Sequence, residues 1–192
     1  MKKKVTIGVL ALQGGFEEHI QHLHSLGVEA FEIRKKADLN RAMNGLIIPG
    51  GESTTMGKLL KDLDIYNELK SRIAQGLPAF GTCAGMILLA KKIVDSDVVH
   101  FGVMNISVRR NAYGRQLGSF FTNAEFKGVG EVPMTFIRAP YIESVGEGVE
   151  VLSVVNGKMV AAREGHLLAT AFHPELTGDN RVHRYFIEQV VK

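Results

Sequence analysis

The first half of the chain alternates between two hydrophobic rhythms. "KVTIGVLAL" is a nearly unbroken apolar run, the pattern of a strand covered on both faces. "FEEHIQHLHSLG" follows, with Phe16, Ile20 and Leu23 at helical spacing and Gly27 as a stop. "VEAFEI" and "GLIIPGG" read as strands, "STTMGKLLKDLDIYNELKSRIAQG" as a helix interrupted near Asp62 to Asp64, "LPAFG" as a fourth strand and "AGMILLAKKIV" as a third helix. Beyond Val98 the rhythm shortens. "FGVMNISVRR", "GSFFTNAEF", "MTFIRAPYIESV", "VEVLSVV", "KMVAAREG" and "LLATAFHPE" read as short strands, with turns at Gly118, Gly146-Glu147-Gly148 and Asn156-Gly157. "GDNRVHRYFIEQVVK" closes the chain as an amphipathic helix with Val182, Tyr185, Phe186 and Val190 inward.

Strands alternating with helices predict parallel βαβ units. The expected fold is α/β: a flavodoxin-like three-layer sandwich with a mainly parallel central sheet and an antiparallel C-terminal extension. No internal repeat, low-complexity tract or linker divides the 192 residues, so residues 1–192 are expected to form a single domain.

Composition narrows the function. Apolar residues make up 45% and charged residues 22%, as in ordinary globular proteins. "MKKKVTIGVLAL" imitates a signal peptide, but it runs into "QGGFEEH" without a small-residue cleavage site, and a first strand is expected instead. No apolar run is long enough to cross a bilayer. The net charge of +3 and pI near 9.0 come from scattered doublets such as Lys35-Lys36, Lys91-Lys92 and Arg109-Arg110. They form no aromatic-interleaved basic stripe, which argues against a nucleic-acid partner. A single cysteine excludes an internal disulfide and fits a reducing, cytoplasmic setting.

That cysteine carries the main chemical signal. "LPAFGTCAGM" puts Cys83 at a strand-to-helix turn with glycines two residues before and two after. Such an elbow holds a nucleophile in a strained conformation, and the glycines remove side chains that would collide. Helix-start amides favour thiolate over thiol, and the Ala84 amide can face an oxyanion beside the sulfur. A nucleophilic cysteine needs a base from elsewhere in the sequence. "ATAFHPEL" offers one: His173 at a strand end, with Glu175 two residues on to hold its tautomer. "IIPGGEST" adds glycines after a buried strand, which let backbone approach a ligand, and Ser53-Thr54-Thr55 to begin the next helix. It lacks the lysine of a phosphate-binding loop.

Other features carry less. His19 and His22 share a helix face, but no third metal ligand is indicated and His24 points elsewhere; the three read as a solvated helix or a partner contact, and no metal is assigned. His100, His166 and His183 join no recognisable constellation. The methionines read as core filling.

Taken together, "PGGEST", "GTCAGM" and "FHPE" resemble the oxyanion loop, nucleophile elbow and His/Glu pair of the class I, triad-type glutamine amidotransferases, in that order along the chain. With "GVLALQGGFEEH", "RRNAYGRQLGSF", "FIRAP", "VAAREG" and "FHPELTGDNRVH", the chain is similar to the glutaminase subunits of pyridoxal 5'-phosphate synthases over nearly its whole length. The resemblance implies Cys83 as nucleophile, His173 as base and Glu175 as its orienter, with the Gly51 and Ala84 amides as oxyanion hole. It further implies that Gly51, Glu52, Ser53, Arg110, Ile137 and Arg138 bind L-glutamine. No cofactor is implied. The implied partner is a β/α-barrel synthase subunit, facing the first helix and the Gln13-Gly14 turn. Two readings compete: a cysteine hydrolase or protein-repair enzyme on the same layout, which leaves "PGGEST" unexplained, and a non-enzymatic glutamine sensor, against which the intact triad argues.

Overall fold

The strands at the centre of the molecule are mostly apolar runs, as a sheet covered on both faces requires. The computed structural model describes residues 4–110 and 118–191. Thr6–Leu10 (β1) lies between Glu29–Ile33 (β2) and Gly45–Ile48 (β3); Ala79–Thr82 (β4) and Leu167–Thr170 (β12) extend the sheet, all in parallel. Every residue of β3, β4 and β12 is buried. The helices Phe16–Ser25 (α1), Ser53–Asp62 (α2), Tyr66–Ala74 (α3), Ala84–Leu89 (α4) and Arg181–Tyr185 (α5) pack around this sheet. The helical stretch after β3 is interrupted as expected, with Asp64 at φ 55° between α2 and α3.

The sheet then changes direction. Lys158–Glu164 (β11) runs antiparallel to β12, followed by Tyr141–Val145 (β9), Met104–Arg109 (β6) and Ala90–Ile93 (β5), while Glu150–Val155 (β10) also pairs with β11. Ser119–Phe126 (β7) and Gly130–Ile137 (β8) form a separate antiparallel hairpin. The mixed part thus draws on the middle of the chain as well as its C-terminal third.

Three boundaries differ from the sequence expectation. "AGMILLAKKIV" is not one helix: α4 stops at Leu89, and Ala90–Ile93 pairs in parallel with β6. All six residues of α4 are buried, so no polar face was there to mark its end. "MTFIRAPYIESV" is two strands, broken where Arg138 takes φ 45° and Pro140 contributes no amide hydrogen. The last helix passes from α5 into a π-helical turn, Phe186–Val191; Val182, Phe186 and Val190 point inward, whereas Tyr185 is only half-buried, its ring edge-on to Phe126.

Parallel pairing places the C-terminal ends of β1, β3, β4 and β12 at one edge. The segments that leave those ends carry Gln13-Gly14-Gly15, Gly50-Gly51-Glu52, Cys83 and His173 respectively. Crevices outside the carboxyl ends of such strands are where open α/β sheets bind ligands.

Candidate active site

Cys83 is built by steric exclusion. It sits between β4 and α4 at φ 52°, ψ −107°, a conformation that costs a non-glycine residue on the order of 1–3 kcal/mol. Its amide donates to the Thr170 carbonyl at 2.8 Å and its carbonyl accepts from the Ile87 amide at 3.3 Å, so the turn is tied to β12 and to α4. A Cβ on Gly85 would lie 2.0 Å from the Ile48 carbonyl oxygen. The turn can therefore press this close to β3 only without a side chain there. A Cβ on Gly50 would lie 2.5 Å from His173 Cε1 and 3.5 Å from Cys83 Cβ, so the bare backbone after β3 makes room for both groups.

His173 is built by hydrogen bonding. Its amide donates to the Thr135 carbonyl of β8 at 2.8 Å, and Pro174–Leu176 continues as a short 3-10 turn that brings Glu175 back under the ring. His173 Nδ1 meets Glu175 Oε1 at 2.6 Å, and the Glu175 side chain is wholly buried. Burial disfavours the imidazolium, but hydrogen bonds to Cys83 and Glu175, reinforced by their charges, outweigh it and raise the His173 pKa to about 10. The ring thus holds its proton at neutral pH, between the Cys83 sulfur on one side and the Glu175 carboxylate on the other.

These groups open onto a cavity of about 550 Å³, a size suited to a small-molecule ligand. Every candidate residue from the sequence lines it. Cys83, Ala84, His173 and Glu175 form one part of the lining; Gly51, Glu52 and Ser53 enter from the loop after β3; Arg110, Ile137 and Arg138 come from the strand ends of the antiparallel region. Gly14, Gly15, Ile87, Pro140 and Leu176, which sequence reasoning did not assign to the site, complete the wall. The two adjacent arginines separate: Arg109 pairs with Asp95 at 2.9 Å and Glu143 at 3.2 Å, whereas Arg110 lines the cavity. Residues 111–117, which carry most of "RRNAYGRQLGSF", lie outside the described residues.

Glu52 has a local task. Its carboxylate accepts from the Thr54 and Thr55 amides at 3.0 and 2.7 Å and from the Thr55 hydroxyl at 2.7 Å, capping α2. The Thr55 hydroxyl first, then the amides, hold its pKa at about 2. Its own amide donates to Gln13 Oε1 at 2.9 Å, joining the loops after β1 and β3.

The expectation of a solvated face at His19 is wrong. His19 is fully buried behind Glu175, and His183 is buried beside it. His19 lies three residues after Phe16 and four before Leu23, so helical spacing did put it on the inward stripe; its polarity hid that. His19 Nδ1 is 2.7 Å from His183 Nε2, and His22 stacks on His183 with ring centres 4.6 Å apart. Burial first, then neighbouring histidines, pushes His19 well down, and burial with His22 pushes His183 to about 3. Among the described residues, no three His, Cys, Asp or Glu side chains gather as metal ligands.

Comparison with known proteins places this arrangement. Residues 9–192 match the SNO glutamine amidotransferase family. The chain belongs to that family. Its similar relatives include the pyridoxal 5'-phosphate synthase subunit PdxT of Streptococcus pneumoniae, from strains D39 and R6, each 58% identical over 184 residues, covering 94% of this chain and 95% of theirs. A solved glutamine amidotransferase superposes with a TM-score of 0.89 at 50% identity, over 95% of this chain and 97% of its own. A second glutamine amidotransferase, from Thermotoga maritima, shares the fold at a TM-score of 0.61 and 14% identity, over 97% of this chain and 84% of its own. No described helix is long and apolar enough to cross a membrane.

Proposed function

We propose that this chain, as one domain over residues 1–192, is the cytoplasmic glutamine-hydrolysing subunit of a pyridoxal 5'-phosphate synthase, working through a thioester on Cys83. The observation that carries the reading is the convergence of Cys83, His173 and Glu175 on the cavity. Relatives named as PdxT subunits of that synthase, alike over nearly the whole chain, support the pathway.

The Cys83 thiolate attacks the side-chain carboxamide carbon of L-glutamine, and the carbonyl electrons move onto oxygen. The Gly51 and Ala84 amides meet that oxyanion; one such donor is worth about 2.7–4 kcal/mol in rate. His173 gives its proton to the leaving nitrogen, the C–N bond breaks and ammonia departs. A γ-glutamyl thioester remains. Water attacks it while His173 takes a proton, the C–S bond breaks, and glutamate leaves with the thiolate restored. Glu175 holds His173 in the orientation both steps need. Glu52, Ser53, Arg110, Ile137 and Arg138 hold the amino-acid end of glutamine.

Ammonia released into water would be protonated and lost as a nucleophile. Delivery to a docked β/α-barrel synthase partner, which joins it to a pentose phosphate and a triose phosphate, avoids that loss. The test is Cys83→Ala in the reconstituted complex. Glutamine-dependent product formation falls below detection while added ammonium still supports it; continued use of glutamine would overturn the assignment.

A further inference from the structure

The buried histidines behind the triad take no part in the steps above, yet they stand against its carboxylate. Glu175 Oε1 is occupied by His173. Its second oxygen, Oε2, is sealed from solvent and meets no protein donor at ordinary hydrogen-bond geometry. The donor that faces it is His19 Nε2, at 3.4 Å, which stands also 3.4 Å from the Thr82 hydroxyl. A dry carboxylate with one bare oxygen is costly, and an N–H dipole close beside it lowers that cost.

The tautomers follow from counting hydrogens. His19 Nδ1 and His183 Nε2 are 2.7 Å apart, so one of the two carries the hydrogen between them. Both rings are buried, which favours the neutral form of each. Were the hydrogen on His19 Nδ1, the bare lone pair of Nε2 would stand 3.4 Å from the Glu175 carboxylate, with only the Thr82 hydroxyl to offset the repulsion. With the hydrogen on His183 Nε2 instead, His19 carries its own on Nε2, aligned on the Thr82 hydroxyl and standing 3.4 Å from Glu175 Oε2. His183 Nδ1 is then a bare acceptor, and that nitrogen is indeed buried without a partner. A buried unmatched acceptor is tolerated better than a buried unmatched N–H.

We propose that His19 is a positioning residue of the glutaminase site: its Nε2–H supports Glu175 Oε2, and His183 fixes the His19 tautomer that makes this possible. The inference rests on the proposed thioester chemistry. A lone buried carboxylate would swing; supported from behind by α1, it keeps His173 aligned on Cys83. The other groups about it are compatible. His22 Nε2 contacts the Glu175 carbonyl at 3.2 Å, and Glu18 approaches from α1 beside Gly15. Glu18 is a like charge, which makes a donor on the opposite side of Glu175 more necessary.

The experiment compares His19→Leu, which removes the donor, with His19→Gln, whose amide nitrogen can reach the position of ring Nε2. Both are measured in complex with the synthase partner, beside the unaltered chain and Cys83→Ala. His19→Leu lowers glutaminase kcat by about 10- to 100-fold, the range seen when outer-shell partners of functional groups are removed. It also moves the acid limb of kcat/KM to higher pH, because an unsupported carboxylate is protonated more readily. His19→Gln recovers at least tenfold and returns the limb. A purely structural role would lower the melting temperature of both variants without moving the limb, and that result overturns the proposal, as does an unaltered rate in His19→Leu. Should His19→Leu fail to fold, histidine nitrogen NMR of the unaltered chain decides: a neutral Nε2–H tautomer at His19 supports the inference and Nδ1–H overturns it. Cys83→Ala separates the two failures, since retained glutaminase activity there sinks the thioester reading itself.

Discussion

Cys83 and Glu175 sit on opposite sides of one imidazole, and the chain fixes them by opposite means. Around Cys83 side chains are missing: Gly85 lets the elbow press on the Ile48 carbonyl, and Gly50 leaves space for the His173 ring. Around Glu175 the space is filled, by His173, His19 and His183, with hydrogens allotted by the few partners available. The nucleophile side is thus a problem of volume, the base side one of charge in a dry interior. The first should fail when an atom is added, and the second when a proton is added.

The largest expected effect comes from adding one methyl group beside the nucleophile. Gly50→Ala displaces the His173 ring from Cys83 and lowers kcat by about 10²–10⁴, comparable to losing the general base itself. Gly85→Ala meets backbone rather than a movable ring, so it registers in stability, with a loss of about 3 kcal/mol in urea unfolding. If Gly50→Ala were fully active, the spatial account of the elbow would be wrong.

Changing charge on the base side gives a smaller effect of a different kind. Glu175→Gln keeps the size of the side chain and removes its charge, lowering kcat by about 100-fold or more. A raised His173 pKa means an imidazolium that survives until pH passes about 10. Without the carboxylate that value falls, and the alkaline limb of kcat/KM moves to lower pH. A limb that stayed in place would remove Glu175 from the account of His173.

The smallest effect concerns stability. His19 and His183 are neutral in the fold and gain protons in the unfolded chain, so their folded pKa values lie below the unfolded ones. Their contribution is therefore complete above about pH 6.5 and is lost as pH falls below it. Between pH 7 and 5 each ring should cost on the order of 1–2 kcal/mol of unfolding free energy, and His183→Gln should flatten that dependence. An equal slope in the variant would mean that His183 is not held neutral.

The same contrast decides what could be read before the structure. The strands β1, β3 and β4 announced themselves as apolar runs with glycine at or after their ends, and the elbow by its spacing, because steric demands leave residue types with no substitute. Glu52, Ser53, Arg110, Ile137 and Arg138 were reached through the family resemblance instead, and they line the same cavity. The end of α4 was silent, since a helix buried all round has no polar stripe to interrupt. His19 was misread because a histidine on an inward stripe looks the same as one at its margin until the partner is known, and His183 is 164 positions away. The capping role of Glu52 was hidden behind Ser53 and Thr54, which are the commoner caps.

The most direct measurement of the central claim is acid-quenched mass spectrometry of the reconstituted complex during turnover of L-glutamine. A γ-glutamyl adduct mapped to Cys83, lost in Cys83→Ala together with ammonia release, is the predicted result. Ammonia formed at the normal rate by Cys83→Ala, or an adduct mapped to another residue, would contradict it.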